Sequence, residues 1–138
     1  MTLVIDASVA CKWFFNEPLS TEARTLAQSG EAFAAPDLIL VECANAAWRR
    51  VSGETVPLKQ AQAFLSVLPQ WFEALVPSAG LHETAFEMAC ALDHPVYDCQ
   101  YLALAEDEET RLVTADRAFV TKVRRSPWHE RVESLGGS

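Results

Sequence analysis

The sequence predicts an α/β domain with a largely parallel sheet and helices on both faces. Short apolar runs typical of buried strands alternate with segments of helical periodicity along the whole chain. No internal repeat, low-complexity segment or linker breaks this alternation, and 138 residues with 50% hydrophobic content can form one sizeable core. We therefore expect a single domain over residues 1–135 and a loose C-terminal end at residues 136–138.

The N-terminal half begins with a strand. Residues 2–5 form an apolar, β-branched run that is typical of a buried strand. A helical pattern over residues 20–28 is followed by a weak second strand over residues 32–35. Asp37 is a candidate N-cap for a helix over residues 38–50.

The C-terminal half continues the alternation. Pro57 opens a helix at the favoured first position, and Pro69 ends or kinks it. His94 precedes Pro95, an arrangement that disfavours helical angles and separates two helices. The remaining predicted elements are strands over residues 74–76, 111–114 and 131–135, and helices over residues 81–92, 96–106 and 117–124.

Charge leaves the class of ligand open. The net charge of −8 opposes a simple nucleic-acid binder, because such proteins use Lys and Arg to neutralise phosphates. An acidic enzyme can still act on nucleic acid if metal ions supply positive charge locally. An acidic surface equally suits a basic protein partner.

The sequence contains no sign of export or of a membrane span. No segment approaches the ~20 consecutive apolar residues that a transmembrane helix needs, and the N-terminus lacks the basic start of a signal peptide. We expect a cytoplasmic protein with no membrane partner. The cysteines form no C-x-x-C pair, so we interpret all four as small buried hydrophobic residues in a reducing compartment: Cys11, Cys43, Cys90 and Cys99.

Four acidic residues at element ends or in apolar surroundings are the informative ones. Asp6 ends the first strand and Asp116 follows the fourth, so they converge if these strands are neighbours, because ligands of open α/β sheets bind at the carboxyl ends of strands. Asp98 lies in the first turn of a helix. Glu42 lies in an apolar helix, where a lone buried carboxylate is costly, and Asn45 shares its face.

Each acid also has a structural interpretation. Asp6 and Asp116 are candidate helix caps, Asp98 a candidate helix-end charge, and Glu42 a candidate solvated residue. If the four instead converge, their mutual repulsion implies a hard cation, since Mg²⁺ and Mn²⁺ prefer oxygen ligands. Paired ions at such a site can promote phosphodiester cleavage.

At this point the sequence resembles the PIN-domain nucleases, and within them the VapC-like toxin ribonucleases. VIDASVACKWF at residues 4–14 is similar to the first family motif, and Glu17 sits where one subgroup often carries an acid. Glu42 falls in the second motif, YDCQYLALA at residues 97–105 in the third, and LVTADRAF at residues 112–119 in the fourth. Each motif alone is weak, but the ordered set covers nearly the whole chain.

The resemblance implies a three-layer α/β/α fold with a mainly parallel sheet of four or five strands. It implies that Asp6, Glu42, Asp98 and Asp116 hold Mg²⁺ or Mn²⁺ and hydrolyse RNA phosphodiester bonds with metal-activated water. Ser8 and Thr114 occupy positions whose hydroxyls support the acids. It further implies a homodimer that a cognate antitoxin holds inactive. Cys99 and Gln100 depart from the small apolar residues often found there, which does not affect the acids.

Three other enzyme classes and one non-enzymatic class share parts of this pattern. A receiver domain would need an Asp after the third strand, a haloacid-dehalogenase-type phosphatase would need a second Asp where Ser8 stands, and the P-loop signature is missing. The non-enzymatic alternative is a PIN-like fold used only as a binding or scaffold module. For Lys12 and Arg117 we favour surface or structural roles over contacts with RNA phosphate. The three scattered histidines are not predicted to take part in catalysis.

Overall fold

Five strands form a single parallel sheet in the computed structural model, which describes residues 1–137. The sheet order is β3-β2-β1-β4-β5, and all four pairings are parallel. The predicted parallel sheet is thereby confirmed, with the fifth strand at one edge. The strands are β1 (Thr2–Ile5), β2 (Ala32–Pro36), β3 (Ala74–Val76), β4 (Leu112–Thr114) and β5 (Val132–Ser134).

Helices cover both faces of this sheet. They are α1 (Ala7–Phe14), α2 (Ser20–Ala27), α3 (Leu38–Ser52), α4 (Leu58–Val67), α5 (His82–Leu92), α6 (Val96–Asp107) and α7 (Arg117–Arg124). Contacts join α1 to α2 and α3, and α3 to α4, whereas α5 packs on α6. Since parallel crossovers are right-handed, the change of direction in strand order after β3 puts these two groups on opposite faces. The expected three-layer α/β/α architecture is confirmed.

The central strand β1 positions the functional residues. Its apolar residues Val4 and Ile5 are fully buried, as a strand covered on both faces requires. β1 pairs with β2 on one side and with β4 on the other, where Val4 faces Leu112 and Ile5 faces Val113. The chain leaves β1 toward β2 and returns much later as β4, so the boundary between β1 and β4 is the topological switch point.

Two local predictions are wrong. Asp37 makes no side-chain cap for α3; its Oδ1 instead accepts hydrogen bonds from Ser78 N at 3.1 Å and Ser78 Oγ at 2.6 Å, just beyond β3. Asp37 therefore bonds to Ser78, which follows β3, and not to a backbone N–H group of α3. Cys90 is exposed on α5, whereas Cys11, Cys43 and Cys99 are buried as expected.

In the described residues, no helix is both long and apolar enough to cross a membrane. The division into a domain at residues 1–135 and a loose end at residues 136–138 stays a prediction, and Ser138 lies outside the described residues.

Candidate active site

Asp6 is a buried carboxylate at the carboxyl end of β1. Its Oδ1 accepts hydrogen bonds from Ser8 Oγ at 2.5 Å and from Val9 N at 3.2 Å, which caps α1. Its Oδ2 accepts a hydrogen bond from Thr114 Oγ1. Only 8% of Asp6 is exposed, and this burial raises its pKa from the ordinary 3.8 to about 6 despite the three hydrogen bonds. The fold therefore holds a carboxylate whose ionised form lacks a positive partner.

Two hydroxyls lock the end of β4 against the end of β1. Thr114 Oγ1 bonds Asp6 and also accepts a hydrogen bond from Asp116 N at 3.1 Å. Ser8 Oγ likewise bonds Asp6 and accepts from Ala115 N at 3.1 Å. The two strand ends thus share one hydrogen-bond network, which fixes where the backbone of Asp116 lies relative to the Asp6 carboxylate.

Asp116 and Asp98 come together next to Asp6. Asp116 Oδ1 caps α7 by accepting a hydrogen bond from Phe119 N at 3.1 Å. Asp98 lies in the first turn of α6. One ligand atom from each of Asp98, Asp116 and His94 lies within 4.8 Å of the other two. The charge of Asp98 contributes to the raised pKa of Asp6, so Asp98 links the Asp6 carboxylate to this group.

Glu42 approaches the same group from the opposite layer. It projects from α3 and accepts a hydrogen bond from Tyr101 Oη on α6 at 2.5 Å. Desolvation raises its pKa, and the charges of Asp98 and Asp6 raise it further, against the lowering effect of the Tyr101 bond. Burial and the negative charge of Glu42 in turn raise the pKa of Tyr101, which keeps its phenol protonated as the donor.

An open groove of about 510 Å³ leads away from these acids between α1 and α3. Ser8, Glu42 and Asn45 line it near the acids, and the basic side chains Lys12, Arg49 and Arg50 line it farther away. Within it Glu17 pairs with two of these cations. Its carboxylate lies 3.3 Å from Lys12 Nζ and accepts two hydrogen bonds of 3.0 Å from Arg50 Nη2.

With this geometry established, comparison with known proteins assigns the chain to a family. The PIN domain family model matches residues 3–124. The chain belongs to the PIN-domain family. A curated relative, Ribonuclease VapC3 of Pyrobaculum aerophilum, is 31% identical to this PIN domain over 124 residues, which span 88% of the chain and 95% of the relative. The resemblance to VapC-like ribonucleases is therefore confirmed.

Solved structures share the fold. PAE2754 from Pyrobaculum aerophilum superimposes with a TM-score of 0.74 at 20% identity, over 99% of this chain and 85% of the other. VapBC2 from Rickettsia felis, solved bound to a DNA fragment from their promoter, matches with a TM-score of 0.64 at 15% identity, over 97% of this chain and 98% of the other. Both likenesses support the three-layer architecture of this PIN domain.

The donor set of this PIN domain suits a hard divalent cation. Asp6, Asp98 and Glu42 offer carboxylate oxygens. The charge of Asp98 raises the pKa of Asp6, and the charges of Asp98 and Asp6 raise the pKa of Glu42, which is the behaviour of anions that lack a cation. Mg²⁺ and Mn²⁺ prefer such oxygen ligands. Of the basic side chains on the groove wall, Lys12 and Arg50 are already paired with Glu17. A bound cation would therefore relieve the repulsion.

The structure brings all four predicted acids together on the side of the sheet where the strands have their carboxyl ends. The cap interpretations of Asp6 and Asp116 are also correct, because each uses one carboxylate oxygen as a cap and leaves the other oriented elsewhere. Of the three supporting residues, Ser8 and Thr114 form hydrogen bonds with Asp6, and Asn45 lines the groove.

Two site residues were not predicted from the sequence. Tyr101 contacts Glu42 across 59 positions of sequence, a pairing that no local pattern indicates. His94 lies 2.6 Å from Asp98. His94 and Asp98 are four residues apart, a spacing that brings two side chains together on a helix. Pro95 argues against a helix that includes His94, so the spacing alone did not predict this contact.

Proposed function

We propose that this PIN domain is a Mg²⁺- or Mn²⁺-dependent endoribonuclease and the toxin of a toxin–antitoxin pair. The proposal rests on one observation. Four carboxylates lie close together at the carboxyl ends of the strands, beside an open groove with basic walls. The four are Asp6, Glu42, Asp98 and Asp116. The relative named as a ribonuclease, 31% identical over most of both chains, supports the same assignment.

In this proposal the aspartates hold the ion. Asp6, Asp98 and Asp116 would be its ligands, and Glu42 would orient the water that attacks phosphorus. A bound divalent ion would supply Lewis acidity toward the phosphate and lower the pKa of a water ligand. Tyr101 keeps the Glu42 carboxylate in place through its 2.5 Å hydrogen bond. Hydrolysis adds water across one P–O bond of RNA and leaves a phosphate on one of the two new ends.

The groove supplies the path for the RNA backbone. Lys12, Arg49 and Arg50 place positive charge within the groove although the whole chain carries a net charge of −8. Local cations are what a phosphate chain requires, since counterion release drives nucleic-acid binding. Glu17 offsets part of this charge and holds the Lys12 and Arg50 side chains in fixed positions.

The proposed inhibitor is a cognate antitoxin protein. Val41 and Trp48 on α3 and Leu58 on α4 are exposed apolar side chains, and Val41 also lines the groove. Apolar side chains beside a charged groove suit a protein partner that covers both. The likeness to VapBC2, a pair solved on promoter DNA, supports this kind of partner. We propose in addition that the chain forms a homodimer and acts in the cytoplasm, where its four free cysteines stay reduced.

RNA-end mapping after a short pulse of expression tests the activity. Wild-type protein should create new RNA ends at defined positions, and Asp6→Asn should create none because an amide is a poor ligand for a hard cation. Asp107→Asn, which removes an exposed acid at the end of α6, is the matched control and should cut like wild type.

The same three proteins should then be assayed on purified RNA with and without a chelator. Cleavage by wild type that EDTA abolishes and Mn²⁺ restores supports the proposal. A folded Asp6→Asn variant with full metal-dependent activity would refute the role of Asp6. Wild-type protein that cuts no RNA with any divalent ion would instead identify a binding or scaffold module.

A further inference from the structure

His94 is held rigidly beside the acids although it lies outside both neighbouring helices. It follows Asp93, which ends α5 in the left-handed region at a φ of 52°, and precedes Pro95, so the backbone on both sides is restricted. The ring packs on Phe119 of α7 with centroids 4.5 Å apart, and the side chain is 11% exposed. Packing of this kind fixes the direction of both ring nitrogens.

The two ring nitrogens have different neighbours. Nε2 lies 2.6 Å from Asp98 Oδ2, and Nδ1 lies 3.4 Å from Lys122 Nζ. Lys122 Nζ is also anchored, because it donates a 2.7 Å hydrogen bond to the carbonyl oxygen of Asp93. An ammonium group has hydrogen atoms to donate and no lone pair to accept, so Nδ1 next to it must act as the acceptor.

This asymmetry determines where the imidazole carries its hydrogen atom. With Nδ1 accepting from Lys122, the neutral ring has its hydrogen on Nε2 and donates it to Asp98. Direct coordination of a metal by Nε2 would require the hydrogen to move to Nδ1, against the Lys122 ammonium. The contacts therefore favour a role for His94 through Asp98.

We propose that His94 is a positioning residue that donates from Nε2 to Asp98 Oδ2 and leaves the other Asp98 oxygen to the divalent ion. This inference rests on the proposed metal-dependent function. The Asp98 side chain is 34% exposed on the first turn of α6, so without this partner it can rotate among several rotamers. Holding one rotamer removes an entropy loss that metal binding would otherwise incur. Hydrogen-bond partners of metal ligands typically contribute about 10–100-fold in metal affinity.

Calorimetric titration of Mn²⁺ into the full-length protein tests the role. We expect His94→Leu, which keeps apolar packing on Phe119 but removes the donor, to raise the Kd for Mn²⁺ by about 10–100-fold. His94→Gln places an N–H close to the position of Nε2 and should raise the Kd by less than about 3-fold. His129→Leu makes the same change at a histidine that is 58% exposed and whose Nε2 lies beside Glu130 instead of Asp98, and should bind like wild type.

Nitrogen-15 NMR of the wild-type imidazole provides a test that needs no variant to fold. We expect the Nε2–H tautomer for His94 in the metal-free protein, and the Nδ1–H tautomer would overturn the proposal. Pulsed EPR of the Mn²⁺ complex should detect no directly bound imidazole nitrogen; a coordinated nitrogen would make His94 a ligand and overturn the positioning role.

The outcomes separate this inference from the proposed function. If wild type binds no Mn²⁺ at millimolar concentration, the metal-dependent function itself fails. If wild type binds Mn²⁺ and a folded His94→Leu binds it equally well, only the role of His94 fails. If His94→Gln binds Mn²⁺ as weakly as His94→Leu does, the donated hydrogen bond is not the reason for the loss of Mn²⁺ affinity. That result would also overturn the proposal.

Discussion

Thr114 Oγ1 on β4 donates a hydrogen bond to Asp6 Oδ2 at the end of β1, which joins two residues 108 positions apart in the sequence. Both residues are buried. The bond lies at the switch point of the sheet, so it connects the two strand ends on which the candidate site is built. It also partly offsets the cost of burying the Asp6 charge.

Replacing Thr114 with Val tests this bond. The substitution keeps the shape of the side chain but removes the donor from a buried carboxylate, so we expect a loss of about 1–3 kcal/mol in the free energy of unfolding. Urea denaturation at pH 7.5 measures it. Thr121→Val is the control, because the Thr121 hydroxyl is exposed and bonds only the Arg117 carbonyl of its own helix. Equal stability of the two variants would contradict the prediction.

The raised pKa of Asp6 predicts that Asp6→Asn stabilises the metal-free protein at neutral pH. As pH rises from 3.8 to about 6, the unfolded state releases this proton while the folded state retains it, so the wild-type protein loses stability across that interval. Below it the carboxyl is protonated in both states and causes no loss. We expect the variant to gain about 1–3 kcal/mol above pH 6, since each pKa unit corresponds to ~1.4 kcal/mol.

Denaturant unfolding of both proteins with EDTA, from pH 4 to pH 8, measures this difference. The comparison with wild type at each pH cancels the titration of the other carboxylates. If the difference in unfolding free energy between Asp6→Asn and wild type instead grew as pH fell, its sign would be wrong and the raised pKa of Asp6 would be rejected.

Metal ions should stabilise the folded wild-type protein. An ion that binds only the folded state contributes about 2.7 kcal/mol at a concentration 100 times its Kd, so Mg²⁺ and Mn²⁺ should raise the thermal midpoint. Asp116→Asn should reduce the rise, because Asp116 belongs to the closely grouped side chains that we propose as ligands, whereas Asp107→Asn should not. Differential scanning fluorimetry distinguishes these cases, and no rise at millimolar metal would favour a scaffold module.

Glu17 should restrain RNA binding. It neutralises Lys12 and Arg50 on the groove wall, so Glu17→Gln should lower the Kd for single-stranded RNA about 3-fold at low salt. The measurement uses fluorescence anisotropy in an Asp6→Asn background, which prevents cleavage. Glu22→Gln makes the same change of net charge on an exposed part of α2. If both variants bind RNA equally, the effect comes from net charge and not from the groove.

The alternation of apolar runs and helical segments was enough to predict the parallel sheet and most of its flanking helices, although α1 was not assigned a range. Asp6 and Asp116 were identifiable because a strand end marks a definite place in an α/β fold. Asp37 shows the limit of local rules, since its predicted cap is replaced by Ser78 from a segment 41 residues away. The role of Tyr101 was likewise unpredictable, because its partner lies in the opposite layer.

His94 illustrates a different limit. Its distance from Asp98 in sequence was visible, but its direction depends on the left-handed turn at Asp93 and on packing against Phe119 of α7. Neither the turn nor that packing follows from the spacing of two residues. A histidine outside a helix can be placed only when the helices around it have been assembled.

The insertion of β4 beside β1 has a consequence for how the protein is made. A ribosome releases the strand that carries Asp6 well before Thr114, which lies 108 positions later in the chain, and Asp116 follows Thr114. Nascent or prematurely terminated chains without β4 lack one acid of the cluster and the hydroxyl that holds another. A growing polypeptide therefore cannot assemble the complete cluster of acids until β4 and the residues just after it have emerged.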